Sequence, residues 1–288
     1  MTVTEAFEAF RHRLEITETE QTQASTRHRN IREHIRQTFK IEQDFLTGSY
    51  SRDTKTKPLK DVDMFCVLEA TKQNRDRFAS PSETLEIFHQ ALDKKYGRDR
   101  TEISRRSVKV DFGPDEHLMS FDVVPAFQRG GAGYEIPDNV LEVWIRTDPT
   151  VHADLATEKN QELSQHWKPL VKMVKAWNRS LEEPIRPSFL LEVMAIGLVK
   201  PPFSRHPFEL QYFFLNAADE ITNDWPDPAG LGPPVNDQMN SSARNRASSL
   251  LEAAGEAAEI ARQLENQGKT AQSIKAWRQL MGSNFPAS

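Results

Sequence analysis

Cysteine is nearly absent from this chain: among 288 residues there is one, Cys66. That excludes an intrachain disulfide framework and any zinc module built on several thiolates. Long apolar runs are missing too. The most hydrophobic stretch, Ser188 to Val199, is interrupted by Glu192 and is too short to span a bilayer. The opening Met-Thr-Val-Thr-Glu-Ala-Phe-Glu has neither a basic head nor an apolar centre, so no secretory signal is expected. A strong net charge is also lacking, since 37 Lys+Arg against 42 Asp+Glu leave a formal −5. That balance excludes a surface built wholly to neutralise a duplex, although a local basic patch remains compatible with it. The expected setting is reducing and cytoplasmic, away from membranes. The length suits one large or two modest domains.

What is present changes character along the chain. The first forty residues lack Pro and Gly, and Phe7, Phe10, Leu14, Ile31, Ile35 and Phe39 fall at helical spacing, which predicts one long or one broken helix. Gly48, Pro58, Pro81, Gly97, Gly113 and Pro114 then bracket short apolar runs at Val62–Leu68, Val108–Phe112 and Leu118–Val124, which read as strands. A helix is expected over Ser82–Lys95. Gly130 to Gly133 reads as a turn. From Pro149 onward the pattern is helical again, apart from the Trp225–Asn236 segment, whose four prolines and two glycines require a loop. The fold class is therefore α+β: a mixed sheet with helices over residues 1–150, including the N-terminal helix, followed by an all-α part over 151–288.

The chemistry concentrates in Leu46-Thr-Gly-Ser-Tyr-Ser-Arg-Asp-Thr-Lys-Thr-Lys-Pro-Leu-Lys-Asp-Val-Asp-Met-Phe-Cys-Val-Leu68. Asp61 and Asp63 head an apolar strand, so both emerge on one face, about 6.5 Å apart along it. Two carboxylates so placed repel unless a cation sits between them, and such oxygen-rich sites suit Mg²⁺ or Mn²⁺. Gly48 and Ser49 lie shortly upstream. A glycine lets backbone N–H groups approach a phosphate closely, and the serine hydroxyl adds a donor. A third carboxylate is expected from a neighbouring strand. Asp122 is preferred because apolar residues flank it on both sides, which makes its burial costly without a partner. Asp111, in Val108-Lys-Val-Asp-Phe112, competes with it.

Three such carboxylates and a Gly-Ser loop resemble the DNA polymerase beta-type nucleotidyltransferase fold. Ile136-Pro-Asp138, Trp144-Ile-Arg-Thr-Asp-Pro149, His152, Lys172-Met-Val-Lys-Ala-Trp177 and Ser188-Phe-Leu-Leu-Glu192 narrow the likeness. Together they resemble the bacterial relatives of cyclic GMP-AMP synthase, the oligonucleotide cyclases of anti-phage signalling systems. The resemblance implies a nucleotidyltransferase core followed by a helical lid, two lobes with the active site between them. It also implies two metal ions (Mg²⁺ or Mn²⁺) on Asp61, Asp63 and Asp122. Lys168, Lys172, Lys175 and Arg179 share one helix face. By the family pattern Lys175 and Ser188 match residues that contact a nucleotide's triphosphate tail, with Lys172 on the same face, while Glu192 packs or pairs.

The implied activity joins nucleoside triphosphates, ATP among them, into a cyclic di- or trinucleotide and releases pyrophosphate. The product would act on a separate effector protein, and regulatory partner proteins are compatible with the family. A monomer is expected, and no long nucleic acid as partner. An alternative on the same fold makes linear oligonucleotides or modifies another acceptor, such as an RNA end, a protein or a small molecule. A catalytically dead nucleotide-binding scaffold is a third reading, which the retention of all three carboxylates opposes.

Overall fold

Two Thr-x-x-Glu sequences set the N-terminal architecture. Thr2 with Glu5 and Thr17 with Glu20 each form a reciprocal capping box, in which hydroxyl and carboxylate satisfy backbone N–H groups at a helix start. The N-terminal helical region is thus broken in two, α1 (Val3–Leu14) and α2 (Glu18–Thr38). A computed structural model describes residues 1–113, 119–130 and 133–287 of the chain. After α2 come β1 (Ile41–Thr47), the single turn α3 (Gly48–Ser51), β2 (Asp61–Leu68), α4 (Lys72–Arg77) and α5 (Pro81–Tyr96). Five strands follow: β3 (Thr101–Ile103), β4 (Val108–Asp111), β5 (Ser120–Gln128), β6 (Tyr134–Asp138) and β7 (Val143–Thr147). The remainder is helical: α6 (Pro149–Glu162), α7 (Trp167–Ser180), α8 (Phe189–Leu198), α9 (His206–Glu220), α10 (Ser241–Asn266) and α11 (Thr270–Met281).

The chain divides into two compact units. The sheet unit comprises Ile16–Ala153 and Ala229–Gly232. Its strand order is β1-β2-β5-β4-β3, with β6 on β5 and β7 on β6. β2 and β5 run parallel and the other pairs antiparallel, so the sheet is mixed, as the sequence pattern predicts. Alternation assigns the faces. Val62, Met64, Cys66 and Leu68 of β2 pack with Phe121 and Val123 of β5 and with Ile31, Ile35, Leu85 and Phe88 of α2 and α5. Burial pushes the Cys66 thiol's pKa up, so this cysteine behaves as a core residue. The opposite face carries Asp61 and Asp63 and, further along, a smaller cluster of Phe65, Val67, Val124, Ala126, Ile136 and Ile145.

β5 does not end at Pro125, as its proline suggests, but continues to Gln128. The missing N–H is tolerated because β4 pairs with β5 only as far as Val123 and β6 only from Phe127, so among the described residues one side of Pro125 faces no strand. The expected strand start at Leu118 and part of the expected Gly130–Gly133 turn lie outside the described residues.

The helical unit comprises Met1–Glu15, Asp154–Pro228 and Pro233–Ser288. It differs from a simple cut near residue 150 because α1 belongs to it. The Phe7 ring meets Trp277 and Phe285 edge-on, each at 5.0 Å, and Phe10 packs on Phe285 at 5.2 Å. These contacts bury α1's apolar stripe, which its sequence neighbours do not cover. α7 lies at the centre of this unit, with Trp167 and every residue from Pro169 to Asn178 buried. Among the described residues no helix is long and apolar enough to cross a membrane.

Candidate active site

β1 delivers the chain to Gly48, whose φ of +64° is strained for any residue with a side chain. The reason for glycine there is spatial as well. A Cβ at Gly48 would stand 1.7 Å from Oδ2 of Asp63, so the Asp63 carboxylate lies directly against the glycine backbone. Ser49 follows in the single turn α3, and its carbonyl accepts the Thr54 N–H at 3.0 Å, folding the loop back on itself. On the other flank, the parallel register sets Asp63 opposite Asp122 and Asp61 opposite Ser120. Sheet pairing thus brings Gly48, Ser49, Asp61, Asp63 and Asp122 to one edge.

Asp122 is mostly buried, and desolvation raises its pKa. The hydrogen bond from Ser107 and the charge of Lys109 act against that rise, while the charges of Asp61 and Glu102 add to it. Ser107 Oγ donates to Asp122 Oδ1 at 2.8 Å. That Asp61 is felt at Asp122 is the like-charge crowding that neighbouring carboxylates impose on one another. An oxygen-only donor set of this kind fits Mg²⁺ or Mn²⁺ better than softer metals. Among the described residues no three His, Cys, Asp or Glu side chains already converge on one point as a finished ligand set. Asp111 sits opposite Ser120, exposed, with its carboxylate accepting the Gly113 N–H at 2.8 Å, and so serves a turn.

A residue without an assigned role in the sequence, Asp138 at the end of β6, is fully buried. Burial raises its pKa, but hydrogen bonds from Arg105, the Leu141 N–H and Arg106 outweigh that and hold it down at about 2. A carboxylate depressed below its usual 3.8 adds stability that is fully present at neutral pH and is lost as the pH falls from about 4 towards 2. Asp138→Asn is therefore expected to lower the Tm at pH 7, and the gap to wild type should close on acidification. Equal Tm values at pH 7 would refute this.

The remaining residues read from the sequence lie in the helical unit and are described there by themselves. Lys172 and Lys175 are buried in α7 rather than forming an open basic face. Lys172 Nζ bonds Glu15 Oε2 at 2.7 Å, and Lys175 Nζ bonds Glu192 Oε1 at 2.5 Å. Ser188 is the N-cap residue of α8, one turn before Glu192. Lys175→Met strips a fully buried carboxylate of a bonded cation, so a loss of about 3–5 kcal/mol is expected in denaturant unfolding. Pairing it with Glu192→Leu should recover most of that loss. A single substitution costing under about 1 kcal/mol would show the pair to be incidental. The charge spacing of α7 shows the lysines but not their partners, because Glu15 is 157 residues away from Lys172.

The family model of the Second Messenger Oligonucleotide or Dinucleotide Synthetase domain matches residues 1–160. The chain is 30% identical over 263 residues to the cyclic AMP-AMP-AMP synthase of an Acinetobacter species, covering 85% of this chain and 73% of that protein. It is 26% identical over 274 residues to a probable cyclic nucleotide synthase of Bacillus cereus, covering 83% and 81%. Solved structures share the fold. CdnC of E. coli MS115-1, in complex with HORMA-deltaN, superposes with a TM-score of 0.73 at 18% identity, covering 99% of this chain and 98% of that one. The CD-NTase CdnG of Bradyrhizobium diazoefficiens, in complex with GTP, gives 0.76 at 14% identity, covering 96% and 94%.

Proposed function

Since the chain belongs to the Second Messenger Oligonucleotide or Dinucleotide Synthetase family and is a nucleotidyltransferase that makes cyclic oligonucleotides, we propose that the Gly48–Asp63–Asp122 edge is where its nucleotides are joined. The observation that carries this is the seat of the Asp63 carboxylate on Gly48, with Asp122 beside it in parallel register. Gly48 and Ser49 bind the donor triphosphate through backbone N–H groups and a hydroxyl. Asp61, Asp63 and Asp122 would hold two Mg²⁺ or Mn²⁺ ions, which would supply Lewis-acid stabilisation of the phosphoryl oxygens. The acceptor sugar hydroxyl attacks the α-phosphorus. A bond forms from that oxygen to phosphorus, the bond to the β-phosphate oxygen breaks, and pyrophosphate leaves. Asp122 completes the site and lowers the pKa of the acceptor hydroxyl or takes its proton. Lys172, Lys175 and Ser188 are assigned to the triphosphate tail, Lys172 exchanging Glu15 for phosphate.

In this reading residues 1–150 supply the chemistry and 151–288 the lid, with the α1 helix packed into the helical unit. The enzyme works as a cytoplasmic monomer. ATP is among the substrates: the Acinetobacter relative is a cyclic AMP-AMP-AMP synthase, and the E. coli fold neighbour has been solved with ATP. The product signals phage infection to a separate effector protein. A regulatory partner is supported by the HORMA-deltaN complex of the same fold neighbour. Mass spectrometry of products from the four NTPs with Mg²⁺ or Mn²⁺ tests the reading. A phosphatase-resistant ring containing adenylate is expected. Exclusively linear, phosphatase-sensitive products, with partner proteins supplied, would replace the cyclase with the linear-oligonucleotide alternative.

A further inference from the structure

Ser107 belongs to no motif in the sequence, yet it is the donor on Asp122. It closes the tight turn between β3 and β4, where the Ser104 N–H donates to the Ser107 carbonyl at 2.9 Å. Arg105 and Arg106 form the tip of that turn. Successive side chains in extended backbone point to opposite sides, but here both converge on one buried carboxylate. Arg105 Nε donates to Asp138 Oδ1 and Arg106 Nε to Asp138 Oδ2, each at 2.9 Å. The next residue grips the turn's backbone. Asn139 N–H donates to the Arg105 carbonyl at 3.1 Å and Asn139 Nδ2 to the Ser104 carbonyl at 3.3 Å. The end of β6 thereby fixes both the charge and the backbone of the turn that presents Ser107.

We propose that Ser107, fixed through the 104–107 turn by Asp138, is a positioning residue that sets the orientation of Asp122 for nucleotidyl transfer. The inference rests on the reading of Asp61, Asp63 and Asp122 as the reacting edge. An aspartate's terminal torsion is broad, so a carboxylate does not hold its plane by itself. Three charges act on this one: Lys109 sits opposite it across the β4–β5 pair and attracts it, while Asp61 and Glu102 repel it. A hydroxyl donated to Oδ1 commits that oxygen and leaves Oδ2 for a ligand. Such outer contacts orient a ligating carboxylate without touching the ligand themselves. Without the hydroxyl, the carboxylate turns toward Lys109.

The test compares Ser107→Ala, Ser107→Thr and Asp138→Asn with Asp63→Asn as reference, all in the full chain. For Ser107→Ala, kcat of pyrophosphate release should fall about tenfold with KM for NTP within about twofold, since the lost bond is to a charged group. Ser107→Thr keeps the hydroxyl and should recover most of the rate. Mn²⁺ titration of the nucleotide-free protein, followed by electron paramagnetic resonance, should show weaker binding in Ser107→Ala and near-normal binding in Ser107→Thr. Asp138→Asn should reproduce the kcat loss together with a larger drop in Tm than Ser107→Ala gives, since it also releases the two arginines of the turn. Wild-type kcat and Mn²⁺ affinity in Ser107→Ala would overturn the proposal while leaving the edge intact, provided Asp63→Asn is inactive. Full activity in Asp63→Asn would overturn both.

Discussion

Asp63→Asn is expected to reduce pyrophosphate release to about one-thousandth of the wild-type rate or less, with the Tm nearly unchanged. The substitution conserves shape, so the packing against Gly48 survives and only the charge is lost. Asp63 is the central acid of the edge, two residues from Asp61 on one strand and in register with Asp122 on the next. Removing its charge takes away part of the proposed metal-binding set, and metal stabilisation of a phosphoryl transition state is worth several kcal/mol. At about 1.4 kcal/mol per factor of ten, three orders of magnitude follow. Retention of a tenth of the wild-type rate, measured by coupled pyrophosphate detection, would remove Asp63 from the centre of the reaction.

Gly48→Ala should be nearly as damaging, for a geometric reason. The backbone at φ +64° already disfavours an alanine, by about 1–2 kcal/mol. Beyond that, the added methyl would stand 1.7 Å from Asp63 Oδ2, far inside contact distance. Either the carboxylate swings away or the Gly-Ser turn retreats from the proposed phosphate position. Displacements of about 1 Å at a reacting centre cost on the order of a hundredfold. Rate measurements on Gly48→Ala and Ser49→Ala separate backbone from hydroxyl: Gly48→Ala should lose about a hundredfold or more, and Ser49→Ala distinctly less. If the serine change is the worse of the two, the close approach at Gly48 is not what the site depends on.

Local spacing carried the parts of this site that are local. Asp61 and Asp63 share a face because a strand alternates, and a glycine before a serine marks a close backbone approach. The apolar residues around Asp122 made its burial costly, and the sheet shows why it is tolerated, with Ser107 bonding it and Lys109 opposite it. Parallel pairing of β2 with β5 cannot be derived from either strand's sequence, because both read as apolar runs. Ser107 and Asp138 were invisible as a pair for the same reason: a turn serine and a strand-end aspartate each look ordinary until the fold brings them to one corner. α7 misleads in the opposite direction. Its cations recur at helical spacing, which suggests an open basic face, but the helix is buried and Lys172 and Lys175 meet carboxylates contributed by distant segments. The break between α1 and α2 was legible to the residue in principle, since Thr17 and Glu20 repeat the capping pattern of Thr2 and Glu5.

The membership of α1 in the helical unit bears on how the protein is made. The sheet unit is continuous in the chain except for Ala229–Gly232, whereas the helical unit is closed by its first and last segments. On the ribosome, the strands of residues 41–147 are complete and can pair while most of the helical unit is still unmade. Val3, Phe7 and Phe10 are made long before Trp277 and Phe285, on which their helix packs. α1 is thus buried only after α11 has been made, and until then its apolar stripe is a surface a nascent-chain chaperone would meet.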